Sequence, residues 1–103
     1  MLKLIIFVPE SHKEKVKNAV FECGAGRQGE YSECCWEVLG TGQFVPSVSA
    51  IPAIGSQNEL SRVTEYRVEM LCPEHLASDV KRALTEAHPY EEPAFEFVPI
   101  KEI

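Results

Sequence analysis

Long apolar runs are missing from this chain: the longest, Leu4 to Val8, covers five residues. That is too short to cross a bilayer or to form the core of a secretory signal, so the expected location is the cytoplasm and no membrane contact is expected. Clusters of basic residues are also missing. Ten Lys and Arg are scattered among sixteen Asp and Glu, with a formal net charge of −6, which leaves no footprint for DNA or RNA. The four cysteines, Cys23, Cys34, Cys35 and Cys72, form neither a CxxC pair nor a zinc-ligand pattern, and reduced structural thiols are expected. If Cys34 and Cys35 lie on a strand they point to opposite faces, so at most one of them meets the core. Histidine is scarce as well. His12 and His75 fall in the first turns of expected helices, where solvation is the ordinary outcome, and His88 is left as the notable imidazole.

What is present fits one domain spanning residues 1–103, because the chain has room for a single modest core and carries ordinary globular composition, 45% apolar and 25% charged. Leu2 to Val8 is rich in β-formers and stops at a proline, which predicts a first strand. Ser11-His12-Lys13-Glu14 has the form of a capping box, and Val16, Ala19, Val20 and Cys23 then mark one apolar face. Together they predict a helix over 11–23, closed by Gly24. A second strand is expected over 33–39, ended by Gly40 and Gly42, followed by a long loop over 40–61 rich in proline, glycine and small residues. Arg62 to Cys72 reads as a third strand, Pro73 as the first residue of a helix whose stripe runs from Leu76 to Ala87, and 94–100 as a last strand.

The order β-α-β-β-α-β predicts an α+β, ferredoxin-like antiparallel sheet with two helices on one face and a long loop between strands 2 and 3. The first strand is apolar on both of its alternating faces, Leu2, Leu4, Ile6 and Val8 against Ile5 and Phe7, whereas two short helices cover one side only. A homo-oligomer, dimer or trimer, would cover the other side, and the alternative cover is the long loop folded back.

The residues Gly24-Ala25-Gly26, Gly29, Tyr31-Ser32-x-Cys34, Gly40-Thr41-Gly42-Gln43-Phe44-x-Pro46, Pro52-x-Ile54-Gly55, Glu65 and His88-Pro89-Tyr90-Glu91-Glu92-Pro93 give the chain a family likeness. In that combination the sequence resembles the inserted domain of YqfO-like proteins of the Nif-three-like family, also named after a type 2 GTP cyclohydrolase, here as a standalone chain. It also looks like the CutA and PII-like domains, whose CutA branch carries a similar His-Pro-Tyr-x-x-Pro turn. The resemblance implies a trimer-forming, CutA/PII-like domain. The dinuclear metal ligands of the longer family members lie in flanking segments that have no counterpart here, so their hydrolase chemistry is not implied.

The Gly24 to Gly29 run satisfies GxGxxG but follows a helix and leads into a strand, the reverse of the dinucleotide-binding context. It reads as a helix C-cap and tight turn, with an anion-binding nest beside Arg27 as the functional alternative. The His88 to Pro93 turn is stiffened by its prolines. It reads either as a rigid helix-to-strand connection or as a binding site between subunits. Candidate ligand-binding residues are His88, Tyr90, Glu91, Glu92, Gly24, Gly26, Gly29 and Tyr31, and candidate metal ligands are His88, Glu65 and Glu92, a set suited to zinc, copper or manganese without strong selectivity. No catalytic residue is assigned, because Tyr31, Ser32 and Cys34 pair with no histidine and orienting group. The expected function is a non-catalytic oligomeric module for a small ligand or divalent metal. The alternatives are a protein interaction module that uses the 40–61 loop and a small metal-dependent hydrolase.

Overall fold

The computed structural model describes all 103 residues. A nearly continuous run of β-formers makes Leu2–Val8 the strand β1, and Pro9 ends it. The chain continues through α1 (Glu10–Glu22), β2 (Trp36–Phe44), β3 (Ser61–Cys72), a 3-10 turn (Glu74–Leu76), α2 (Ala77–Ala87) and β4 (Phe95–Pro99). The sheet has the order β2-β3-β1-β4, with every neighbouring pair antiparallel. This is the α+β, ferredoxin-like arrangement expected from the element order.

Register sorts the side chains. Leu2, Leu4, Ile6 and Val8 stand opposite Cys72, Met70, Val68 and Tyr66 of β3, while Phe97 and Phe95 of β4 face Leu4 and Ile6 from the other side. Val16 and Val20 of α1 and Val80, Leu84 and Ala87 of α2 close over this layer as one core, so both helices lie on the same face. The opposite face presents Ile5, Phe7, Trp36 and Val38 interleaved with Lys3, Arg67, Glu69 and Glu96. Trp36, Val38 and Val98 are exposed there.

Three expectations are corrected. Ser11 does not cap α1: the helix starts at Glu10 with Pro9 in the cap position, so Ser11 falls inside the first turn, where its Oγ meets His12 Nδ1 at 2.9 Å. The second strand starts later and ends later than the glycines suggest. Glu33 takes a left-handed φ of 56°, which breaks extension before Trp36. Gly40 and Gly42 then pair with Glu65 and Val63 inside the ladder, so the expected 40–61 loop shrinks to residues 45–60. Glycine is accommodated mid-strand because the Glu65 carboxylate occupies the space a Cβ on Gly42 would take. Finally, Pro73 precedes a 3-10 turn and α2 begins at Ala77.

Because Val8, the last residue of β1, pairs with Tyr66, the β2–β3 hairpin runs on past β1 and the molecule is elongated, 46 × 25 × 24 Å. The loop at its tip leaves Val45, Val48, Ile51 and Leu60 exposed, and although its Gly55 lies against Phe44 it leaves Trp36 and Val38 of the open face uncovered.

Candidate functional site

His88 closes α2: its amide donates to the Leu84 carbonyl at 2.9 Å, and its own ψ of 138° turns the chain out of the helix toward Pro89. The ring is buried and fully engaged. The Tyr90 amide can only donate, so Nδ1 accepts from it at 3.2 Å, and Nε2 then carries the proton and donates to the Phe7 carbonyl at 2.8 Å. His88 thus ties the turn to the end of β1. Burial pushes its pKa below the ordinary value and nearby His12 pushes the same way, against the Phe7 carbonyl and the Glu65 carboxylate.

Tyr90 crosses to the open-face side, where its ring stands edge-on to His88 at 4.8 Å and 6.5 Å from Phe44 of β2. Its hydroxyl is buried and closes no hydrogen bond. Burial first, and then the pull and negative charge of the neighbouring Glu65 carboxylate, push the phenol well above its ordinary pKa. Glu91 Oε1 accepts from the Ile51 amide at 3.1 Å and so joins the turn to the tip loop. Glu92 is exposed.

The structure therefore brings His88, Tyr90, Glu91 and Glu65 to one end of the sheet, together with Phe44 and Gly42, which the sequence reading missed. Their signal was alternation: once β2 continues through its glycines, Gly42, Phe44 and Glu65 share a face. The metal set does not converge within one chain, since both His88 nitrogens are engaged and no three metal-ligating side chains come together.

Gly24, Gly26, Gly29 and Tyr31 lie elsewhere. The Gly26 amide donates to Leu71 and the Cys34 amide to Gly26, at 2.8 and 2.7 Å, pinning this turn to the end of β3. Leu71 pairs with Lys3, whereas Phe7, the partner of His88, lies four residues on, roughly 13 Å along the strand. The amides of Gly24, Ala25, Gly26 and Gln28 are all donated to carbonyls, as in a helix C-cap followed by a turn. The positive φ values of Gly24, Gly26 and Gly29 are the backbone conformations such a turn requires.

A further cluster joins α1 to β2. Glu37 accepts from Lys13 at 2.5 Å and Lys17 at 2.8 Å, which holds its carboxyl below the usual range, and Lys13 lies 3.9 Å from the Tyr66 ring centre. Cys35 packs against the core, and burial raises its thiol pKa despite Lys17 nearby; burial raises Cys72 likewise. Neither is an activated nucleophile.

No family model matches the chain. It is 51% identical over 94 residues to the GTP cyclohydrolase 1 type 2 homolog of Mycobacterium tuberculosis, covering 91% of this chain and 25% of that protein. It is 39% identical over 100 residues to the homolog of Bacillus subtilis, covering 97% and 27%. The chain thus spans about a quarter of the length of the curated relatives it matches. Among solved structures, the Bacillus cereus protein related to NIF3 superposes with a TM-score of 0.85 at 39% identity, over 98% of this chain and 26% of that one. The periplasmic divalent cation tolerance protein CutA from Archaeoglobus fulgidus gives a TM-score of 0.71 at 14% identity, over 98% and 84%, a likeness of fold alone. The Nif-three-like resemblance thus rests on sequence as well as on shape, and the chain is similar to a NIF3-type segment with a CutA-like fold.

Proposed function

We propose that this chain is a non-catalytic, self-associating cytoplasmic module that binds a small polar ligand where the His88 turn meets the open sheet face. The observation that supports the reading is the buried Tyr90 hydroxyl, which closes no short hydrogen bond and has the Glu65 carboxylate as its polar neighbour. An unpaired buried polar group costs stability unless something completes it, and a ligand acceptor would do so. A second copy packed on the open face would enclose that ligand, because the exposed Trp36, Val38 and Val98 are the kind of apolar surface that subunits cover.

A polar organic ligand suits this end better than a divalent metal, since His88 would have to give up one of its two internal hydrogen bonds to coordinate. The divalent cation tolerance named for CutA proteins belongs to chains that share only the fold. Native mass spectrometry of protein purified without chelator tests the reading. An assembly of copies carrying a bound mass that Tyr90→Phe removes is expected. An assembly that carries nothing, or a mass that Tyr90→Phe retains, would overturn it.

The tip loop supports a second reading, an interaction module for another protein, because Val45, Val48, Ile51 and Leu60 are exposed together. Replacing residues 47–59 with a short glycine linker would then abolish partner capture and leave the circular dichroism spectrum intact.

A further inference from the structure

Two successive open-face positions of β2, Gly40 and Gly42, carry no side chain, so the strand is bare between Val38 and Phe44. The Glu65 carboxylate fills the space above Gly42, but a Cβ added at Gly40 would meet nothing nearer than 4.0 Å. A short trough is left. Glu65, which stands opposite Gly40, lines it from β3, and the rings of Phe44 and Tyr90, 6.5 Å apart and tilted at 53°, close its far end with the buried Tyr90 hydroxyl.

The trough's charge is unbalanced. Glu65 is half-buried and makes no ion pair with a Lys, Arg or His. Arg67, its neighbour on the open face, lies against Glu69 at 3.5 Å, and Arg62 falls on the other face of β3. The tip loop, 45–60, and the turn, 88–93, contribute no Lys or Arg, and the turn adds Glu91 and Glu92. A half-buried carboxylate beside aromatic rings matches an organic cation, while the Tyr90 hydroxyl needs an acceptor in the same ligand.

We infer that this trough binds a small amino alcohol, with its ammonium on the Glu65 carboxylate and its oxygen accepting from the Tyr90 hydroxyl. The inference rests on the reading of this end as a ligand site and adds the ligand's charge and its donor and acceptor pattern. A bare metal cation is a poorer occupant, because one carboxylate and one phenol supply too few ligands and no three metal-ligating side chains come together.

Amide NMR of the isotope-labelled chain, titrated with ethanolamine at neutral pH, tests the inference. Saturable shifts centred on Gly40, Gly42 and Tyr90 are expected. Ethylene glycol, the uncharged match, should bind roughly tenfold more weakly, as expected for a lost charged hydrogen bond. Glu65→Gln should weaken ethanolamine by a similar factor, Glu65→Asp should recover part of the loss, and Glu96→Gln, on β4 at the other edge of the open face, should change nothing. Equal binding of ethylene glycol, lost in Tyr90→Phe, would overturn the inference and leave the ligand site standing. Binding of neither probe, in protein whose native mass spectrum shows no bound mass, would remove the site itself. A Glu65→Gln chain that folds but no longer assembles would also overturn the inference, because a cation of a second copy would then be the partner of Glu65.

Discussion

Along β1, Leu4, Ile6 and Val8 disappear beneath α1 and α2, while Ile5 and Phe7 look out on the other side among Lys3, Arg67, Glu69 and Glu96. The covered face is apolar and enclosed where β1 and β3 meet the helices, with the Glu37, Lys13 and Lys17 cluster at its β2 edge. The open face alternates apolar groups with charges that already pair, Glu69 with Lys3 and Arg67, and Arg67 lies 5.8 Å from the Phe7 ring centre. Ile5 itself is nearly buried by its strand neighbours, so the exposed apolar area resides in Trp36, Val38 and Val98. The contrast separates two roles. One face holds the chain folded, and the other keeps charges on display that a uniformly apolar core would exclude.

Substitutions can break that contrast, and the largest effect should come from the covered face. Leu4→Ala is expected to cost about 2–5 kcal/mol in urea unfolding, because the cavity opens in an enclosed layer. Val38→Ala on the open face should stay within about 0.5 kcal/mol. A comparable loss at both positions would show that the open face is core in its own right.

His88→Ala comes next, at about 1–3 kcal/mol, since it removes the donor to the Phe7 carbonyl and the acceptor for the Tyr90 amide at a buried position. Its pH dependence has a definite sign. The folded state lowers the His88 pKa below 6.5, so the unfolded chain binds the proton more readily. Stability from this group is therefore complete above about pH 6.5 and falls as the pH drops toward the lowered folded value. His88→Ala should flatten that part of the profile, and an unchanged slope would count against the buried neutral ring.

Ser11→Ala should have the smallest effect, within about 0.5 kcal/mol, because Ser11 lies inside the first turn and caps nothing. A loss near 1 kcal/mol would restore the capping box read from the sequence.

Much of the fold was legible because local periodicity and tertiary burial agree. β1, the apolar stripes of both helices and the β-α-β-β-α-β order all follow from residues whose spacing matches the face they bury. β2 was misjudged because glycine is a local breaker, whereas its place in the ladder depends on a long-range partner, the Glu65 side chain that fills the space above Gly42. The helix start was misjudged by one residue because Pro9 serves as the cap position without a side-chain bond. The prolines after His88 marked the break between α2 and β4. The separation of His88 from the glycine turn depends on strand register, which no local motif carries.

Light scattering on the size-excluded protein tests the central claim, that the open face is a surface for assembly, most directly when wild type and Val38→Lys are run side by side. The account predicts a wild-type mass of two or more 11.5 kDa copies and a shift to the single-chain mass in Val38→Lys with the fold intact. A wild-type protein that stays at 11.5 kDa across the accessible concentration range, or a Val38→Lys assembly of unchanged mass, would contradict it.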